Sequence, residues 1–393
     1  MRLTRIRRGG NERLVMTIKE LAYSAQQHLE ASTGARYKRA HIYELLAASF
    51  GFNSYASLGA DAVFTEASLT NRRASSSGLV VQNRCIEIGY SPEVAKAASV
   101  VLPTFLTEHE IGVIRIADLV AHLRFESEVG GDSDDDEPDD LEDTVDDRWA
   151  NSAALIFPIL LDGLDGAASK GNPLAHYALA LIHAPGDEDD GQEAGSEHWY
   201  KQAQAGRVLS GVEKEWADVY SANLARTEKY EHHLREAARL GQQDALLDLA
   251  DRFDDPAFFE QARTLVNSTP ALVAEIAERL GRPNDARKWL TAAAEAGDSE
   301  AMRQLIEDYD NDDLQRCWTW VYLAELVGVD LTKDEYHAIH EDGSPYVDDV
   351  GGSMFVGGRG GIELVPLSAE REVDARRAAQ EIFQRIDDAY SRA

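Results

Sequence analysis

The sequence predicts an all-α protein: an N-terminal helical module, then an α-solenoid of helix-turn-helix repeats, with a small Gly-rich β-hairpin near the C-terminus. Three observations carry this. First, one spacing recurs, an apolar residue, Ala four positions on and Gly three further, in Leu164…Ala168…Gly171, Trp199…Ala203…Gly206, Leu234…Ala238…Gly241 and Leu290…Ala294…Gly297. The four glycines stand 35, 35 and 56 residues apart, a period that belongs to stacked helix pairs. Second, helical spacing resumes after the turn, with Ala175 and Leu179, Ala245 and Leu249, and Ala301 and Leu305 at matching offsets. Third, an acidic run, eleven of the sixteen residues from Asp132 to Asp147, separates this half from a differently patterned first part.

The spacing has a physical reading. The apolar residue and the Ala fall on one helix face, where the small side chain lets a neighbouring helix approach closely. The Gly takes the left-handed conformation that ends the helix. Phe258…Ala262…Leu265, with Leu in place of the turn Gly, and Val321…Glu325…Gly328 are weaker copies.

The stretches His198 to Gly206 (HWYKQAQAG) and Lys288 to Asp298 (KWLTAAAEAGD) resemble the second helix and turn of Sel1-like repeats, relatives of the tetratricopeptide repeat. The resemblance covers roughly residues 150 to 330. It implies a curved helical scaffold for protein-protein contacts without catalysis of its own.

From the N-terminus, residues 1–16 read as a disordered basic tail without the apolar segment of a secretion signal, Met16 being an alternative start. Residues 17–130 read as a helical domain. Ile18, Leu21, Ala22, Ala25 and Leu29 follow helical spacing, a second helix stops at Gly51, and a short helix runs from Asn53 to Leu58. The stretch Tyr43 to Leu58 resembles a small helical module near the N-termini of plasmid- and phage-associated proteins, often labelled glyoxalase-related, and implies a bacterial accessory protein. No His/Glu constellation of a glyoxalase accompanies it. The same stretch also reads as a helix-turn-helix, with Arg36, Lys38 and Arg39 contacting phosphates, although its reading helix carries no Arg or Lys. Further helices follow, marked by Pro92 and by a capping box at Thr107–Glu110, up to about Phe125.

Residues 131–148 read as an acidic linker, 149–341 as the repeat array, 342–367 as the hairpin and 368–393 as a capping helix. Neither the linker nor the acidic loop at Gly186–Gly191 has the alternating ligands of a calcium loop. The glycines between Gly351 and Gly361 lack the signature of a phosphate loop. The closing helix offers Val373, Ala378, Ile382, Phe383, Ile386 and Tyr390 as an apolar stripe.

Charge is uneven. The first hundred residues hold 13 Lys or Arg against 8 Asp or Glu, a balance of +5, and the remainder carries −36 of a total of −31. Such a surface repels nucleic acid and anionic membranes and attracts a basic protein. With only Cys85 and Cys317, no disulfide framework and no four-cysteine zinc site is expected. No apolar run is long enough to span a bilayer. His337 and His340, three apart on an expected helix, lack the zinc-protease Glu between them, and His232, His233 and His198 read as structural or surface residues. The expectation is a non-catalytic, cytoplasmic adaptor without cofactor or metal, its repeat surface holding another protein, a basic one being favoured by the charge; the alternative is a DNA-associated accessory protein with a basic N-terminal module.

Overall fold

A computed structural model describes residues 5–8, 11–14, 16–66, 78–129, 158–185, 195–261, 267–340, 344, 346 and 353–391. The expected acidic linker, the Gly186–Gly191 loop, Ala262 and Leu265, and most of residues 341–352 lie outside them. The described residues are mostly helical and include three antiparallel strand pairs. Two compact units divide the chain, residues 1–246 and 247–393.

The first unit opens on β1 (Arg5–Arg8) paired with β2 (Asn11–Leu14), in the register Arg5↔Leu14 to Arg8↔Asn11. These residues were expected to be disordered; the intervening sequence Gly9-Gly10 is a two-residue hairpin signal. Helix α1 (Ile18–Thr33) starts at a capping box in which Thr17 and Glu20 bond reciprocally, and ends at left-handed Gly34. Helix α2 (Arg39–Ser49) stops before Gly51, at φ 82°, and Ser54 caps α3 (Tyr55–Asp61). Strand β3 (Ala62–Glu66) follows, then α4 (Gly78–Glu87), α5 (Pro92–Glu108), β4 (Ile111–Arg115) and α6 (Ile116–Val129). Strands β3 and β4 pair antiparallel from Ala62↔Arg115 to Glu66↔Ile111.

That strand pair adds two short strands to the helical domain expected over residues 17–130, and the described residues stay mostly helical. Thr107 sits in the last turn of α5, where its hydroxyl bonds the Pro103 carbonyl, and Glu110 turns the chain at φ 51°. Thr107–Glu110 therefore ends a helix instead of starting one, and the apolar run Ile111–Ile114 continues as a strand.

Helix α7 (Pro158–Ala168) packs on β3, α3 and α1. Ile159 joins the core built by Leu21, Leu29, Ile42, Leu46 and Phe105. The Asp162 carboxylate accepts from the Ile18 N–H at 3.1 Å, where the helix dipole favours negative charge. A side chain at Gly163 would stand 3.1 Å from Val63. The first repeat helix is thus part of the N-terminal core, which is why the division falls at residue 246 and not at the acidic segment.

Helix α8 (Pro173–His183) is covered by α6, α7 and α10 and buries Ala175, Tyr177, Ala178, Leu179 and Ala180. Helix α9 (Ser196–Gln204) packs on α10 (Val212–Arg239), a continuous 28-residue helix. No Gly or Pro interrupts α10, so the stretch where a 35-residue period calls for a turn stays helical. Helix α11 (Gln243–Phe253) contains the unit boundary.

In the second unit α12 (Ala257–Glu260) precedes α13 (Pro270–Arg279), α14 (Pro283–Glu295) and α15 (Ser299–Gln304), which passes into a π-helical turn, Leu305–Tyr309. Helix α16 (Leu314–Leu326) packs against α17 (Ala369–Tyr390), whose N-cap is Ser368. The buried face of α17 is Ala375, Ala379, Ile382 and Ile386, whereas Val373 is exposed. Strand β5 (Glu335–Ile339) pairs with β6 (Phe355–Arg359), from Glu335↔Arg359 to Ile339↔Phe355. The expected hairpin lay wholly within 342–367; one of its strands comes from before that range, and His337 sits on a strand instead of a helix. Gly358, at φ 104°, allows the pairing, because a Cβ there would collide with the Glu335 carbonyl.

Each unit holds one cysteine in its interior. Cys85 and Cys317 are 0% and 1% exposed, and burial pushes both thiols up to about 11.

Candidate functional site

The glycines of the recurring pattern do what the spacing requires. Gly171, Gly206, Gly241, Gly297 and Gly328 have φ of 82°, 90°, 97°, 102° and 96°. At each, the Gly N–H bonds the carbonyl three residues back and the next N–H bonds the carbonyl four before the Gly, as in Gly297 to Ala294 at 3.0 Å and Asp298 to Ala293 at 3.1 Å. This is the Schellman closure. It recurs at Gly281, between α13 and α14, and at Gly51 and Gly89 in the N-terminal module.

Burial does not follow the expected position. Leu164, Leu234 and Leu290 are buried, but Trp199 is only half-buried. Ala168 and Ala294 are buried, whereas Ala238 is half-buried and Ala203 exposed. The consistently closed position lies four before the Gly: Ala167, Ala237, Ala277, Ala293 and Ala324 are at most 2% exposed. At Gly206 that place holds Gln202.

Helices α13, α14 and α15 enclose a groove of about 510 Å³. Glu275, Glu278, Asp298 and Glu300 line it, with no Lys or Arg among the described lining residues, and exposed Leu272 adds an apolar step. Three carboxylates are held in place. Glu278 accepts from Gln304 at 2.7 Å and from the Tyr309 hydroxyl at 2.6 Å, Asp298 caps the first N–H groups of α15, and Glu300 pairs with Arg359. The Arg359 hydrogen bonds hold the Glu300 carboxyl below its usual range, while burial and then Glu278 push the Tyr309 phenol upward. Glu275 is exposed on α13.

Between α14 and α16 lies a cluster that the sequence reading missed. The fully buried Asp310 carboxylate accepts from Arg287 at 2.5 Å, Arg316 at 2.8 Å and the Trp320 indole at 2.9 Å. Its carbonyl meets Cys317 Sγ at 3.0 Å. Arg303, 1% exposed, bonds the Leu331 and Gly360 carbonyls and so ties the Gly-rich segment to α15. The Arg287, Leu331 and Gly360 contacts join residues more than twenty positions apart, and no sequence motif announces the shorter ones to Arg316, Cys317 and Trp320.

In the first unit, Arg36 and Lys38 are exposed in the connection before α2, and the Arg39 guanidinium lies 5.1 Å over the Tyr23 ring. Helix α3 itself exposes Ala56, Ser57, Ala60 and Asp61, the last an acid in an ion pair with Arg115, and no Lys or Arg. A second concavity of about 460 Å³ lies between α3, the start of α6 and the α7–α8 turn, with Lys170 on its wall. Among the described residues, no group of three or more His, Cys, Asp or Glu is placed to hold a metal ion, and no helix is long and apolar enough to cross a membrane.

No family model, no curated protein and no solved structure matches the chain.

Proposed function

We propose that this chain is a non-catalytic adaptor that holds a basic segment of another protein against the helix pairs of its second unit. The observation that carries this is the groove between α13, α14 and α15, with four carboxylates, only Glu300 of them paired with an arginine among the described residues, and the exposed side chain of Leu272. Lys or Arg side chains would meet the carboxylates while one apolar side chain sits by Leu272; such steering by opposite charge speeds encounter. The recurring glycine turns support a Sel1-like stacking of helix pairs as the scaffold behind the groove.

The test uses the full chain and a library of Lys/Arg-containing peptides, each with one apolar residue. The best binder should lose roughly tenfold in affinity against Glu275→Lys and weaken further as salt shortens the screening length. Binding that ignores both changes would remove the groove from the reading.

A further inference from the structure

Four histidines gather where α8 packs on α10 in the first unit. His176 Nδ1 and His233 Nδ1 are 3.1 Å apart, with ring centroids 5.3 Å apart. His183, two turns along α8, lies nearly parallel to His233 at 6.4 Å, and the His232 ring is 5.1 Å from that of His233. His176 is 9% exposed. Two ring nitrogens at this distance share one proton, one donating as N–H and the other accepting with its lone pair.

We propose that the His176–His233 pair is an acid-sensitive latch, joining α8 to α10 through a single N–H···N bond while neutral and driving the helices apart once both rings are protonated. A first added proton leaves a donor facing an acceptor. A second leaves two N–H groups face to face with no lone pair between them, and His183 adds a third imidazolium to the same space.

The surroundings oppose that charge. Asp165 of α7 and Glu236 of α10 favour protonation, while Arg226, Lys229 and Arg239 of α10, with His232, disfavour it. From α6 come His122 and Arg124, the latter in an ion pair with Asp244 and bonded to the Tyr177 hydroxyl. On α9, Glu197 and Lys201 pair with each other. Burial, ahead of these charges, holds His176 and His183 below the ordinary histidine range and brings His233 down to about 4. The unfolded chain takes up these protons near pH 6.5, roughly. Between about pH 6.5 and 4 it therefore binds more protons than the native state, and stability is lost as pH falls through that window.

The partner groove lies in the other unit, so either proposal can fail alone. Hydrogen exchange of the full chain from pH 7 to 4.5, corrected for intrinsic rates, tests the latch. Peptides of α8 and α10 should lose at least about tenfold in protection relative to those of α14 and α16, because one unit of pKa shift is a factor of about ten. The unit 247–393 serves as the control, since carboxylates titrate in both. In His176→Leu/His233→Leu this extra loss should vanish. Equal loss in both units, or an unchanged profile in the double variant, overturns the latch. Should that variant not fold, 15N-histidine spectra of the parent decide: both imidazoles should titrate below the ordinary histidine range, and titration of both near about 6.5 overturns the proposal.

Discussion

Helices α9 and α14 end alike and pack differently. Trp199, Ala203 and Gly206 repeat the offsets of Leu290, Ala294 and Gly297, and both turns close with the same pair of backbone hydrogen bonds. Yet Leu290, Ala293 and Ala294 are buried, whereas Trp199 is half-buried and Ala203 exposed. The discriminating residue stands four before the Gly, Ala293 in one helix and Gln202 in the other. A left-handed Gly sets how a helix stops; the small residue one turn earlier sets whether another helix can lie across it.

The contrast can be pressed hardest below α14. Asp310 collects Arg287, Arg316 and Trp320 beside the turn that leads away from α15, and α9 has no such anchor among the described residues. Asp310→Ala leaves two part-exposed guanidinium groups and the buried Trp320 indole N–H without their acceptor and should cost about 1.5–3 kcal/mol, seen as a lower urea midpoint. A loss under about 1 kcal/mol would mean that the cluster does not hold the layer together.

Next comes the closed position itself. Ala293→Leu should overpack its contact by about 1–3 kcal/mol, while Ala203→Leu on the exposed face of α9 should stay within about 0.5 kcal/mol. Equal melting shifts would erase the distinction between the two helices.

At the turns the two regions should agree. Gly206 and Gly297 both have positive φ and no close obstruction, so Ala at either should cost a similar amount, about 1 kcal/mol. A much larger loss at one alone would show that its turn is held by more than backbone conformation.

The smallest expected effect concerns rates. Replacing Asp134, Asp135, Asp136, Asp139 and Asp140 by Asn should slow association of a basic peptide a few-fold at low salt and leave dissociation unchanged. Parallel kinetics for parent and variant at all salt concentrations would exclude steering by this segment.

The turns were legible because a left-handed residue after a helix is close to a requirement for Gly, and that requirement is written locally. The strand β4 was not, since Thr107 and Glu110 have the spacing of a capping box and only the apolar run after them distinguishes an end from a beginning. His337 and His340 misled in the same way: three residues apart suits a helix, but pairing with Phe355–Arg359 made the segment a strand. Gly281 escaped notice because Ala274 and Glu278 stand where the pattern wanted a large apolar residue and Ala, although Ala277 fills the closed position. The groove was half visible, as acidic charge without location. Glu275 and Glu300 reach one concavity only after α13, α14 and α15 have packed.

The two cysteines give the molecule an internal clock. A thiol that is buried and protonated at neutral pH is invisible to alkylating reagents until its surroundings open. With Cys85 inside one unit and Cys317 inside the other, the rate at which each is modified measures how often that unit opens. Peptide mass spectrometry can read the two rates from one unmodified sample, so any substitution named above can be assigned to the unit it loosens without introducing a label.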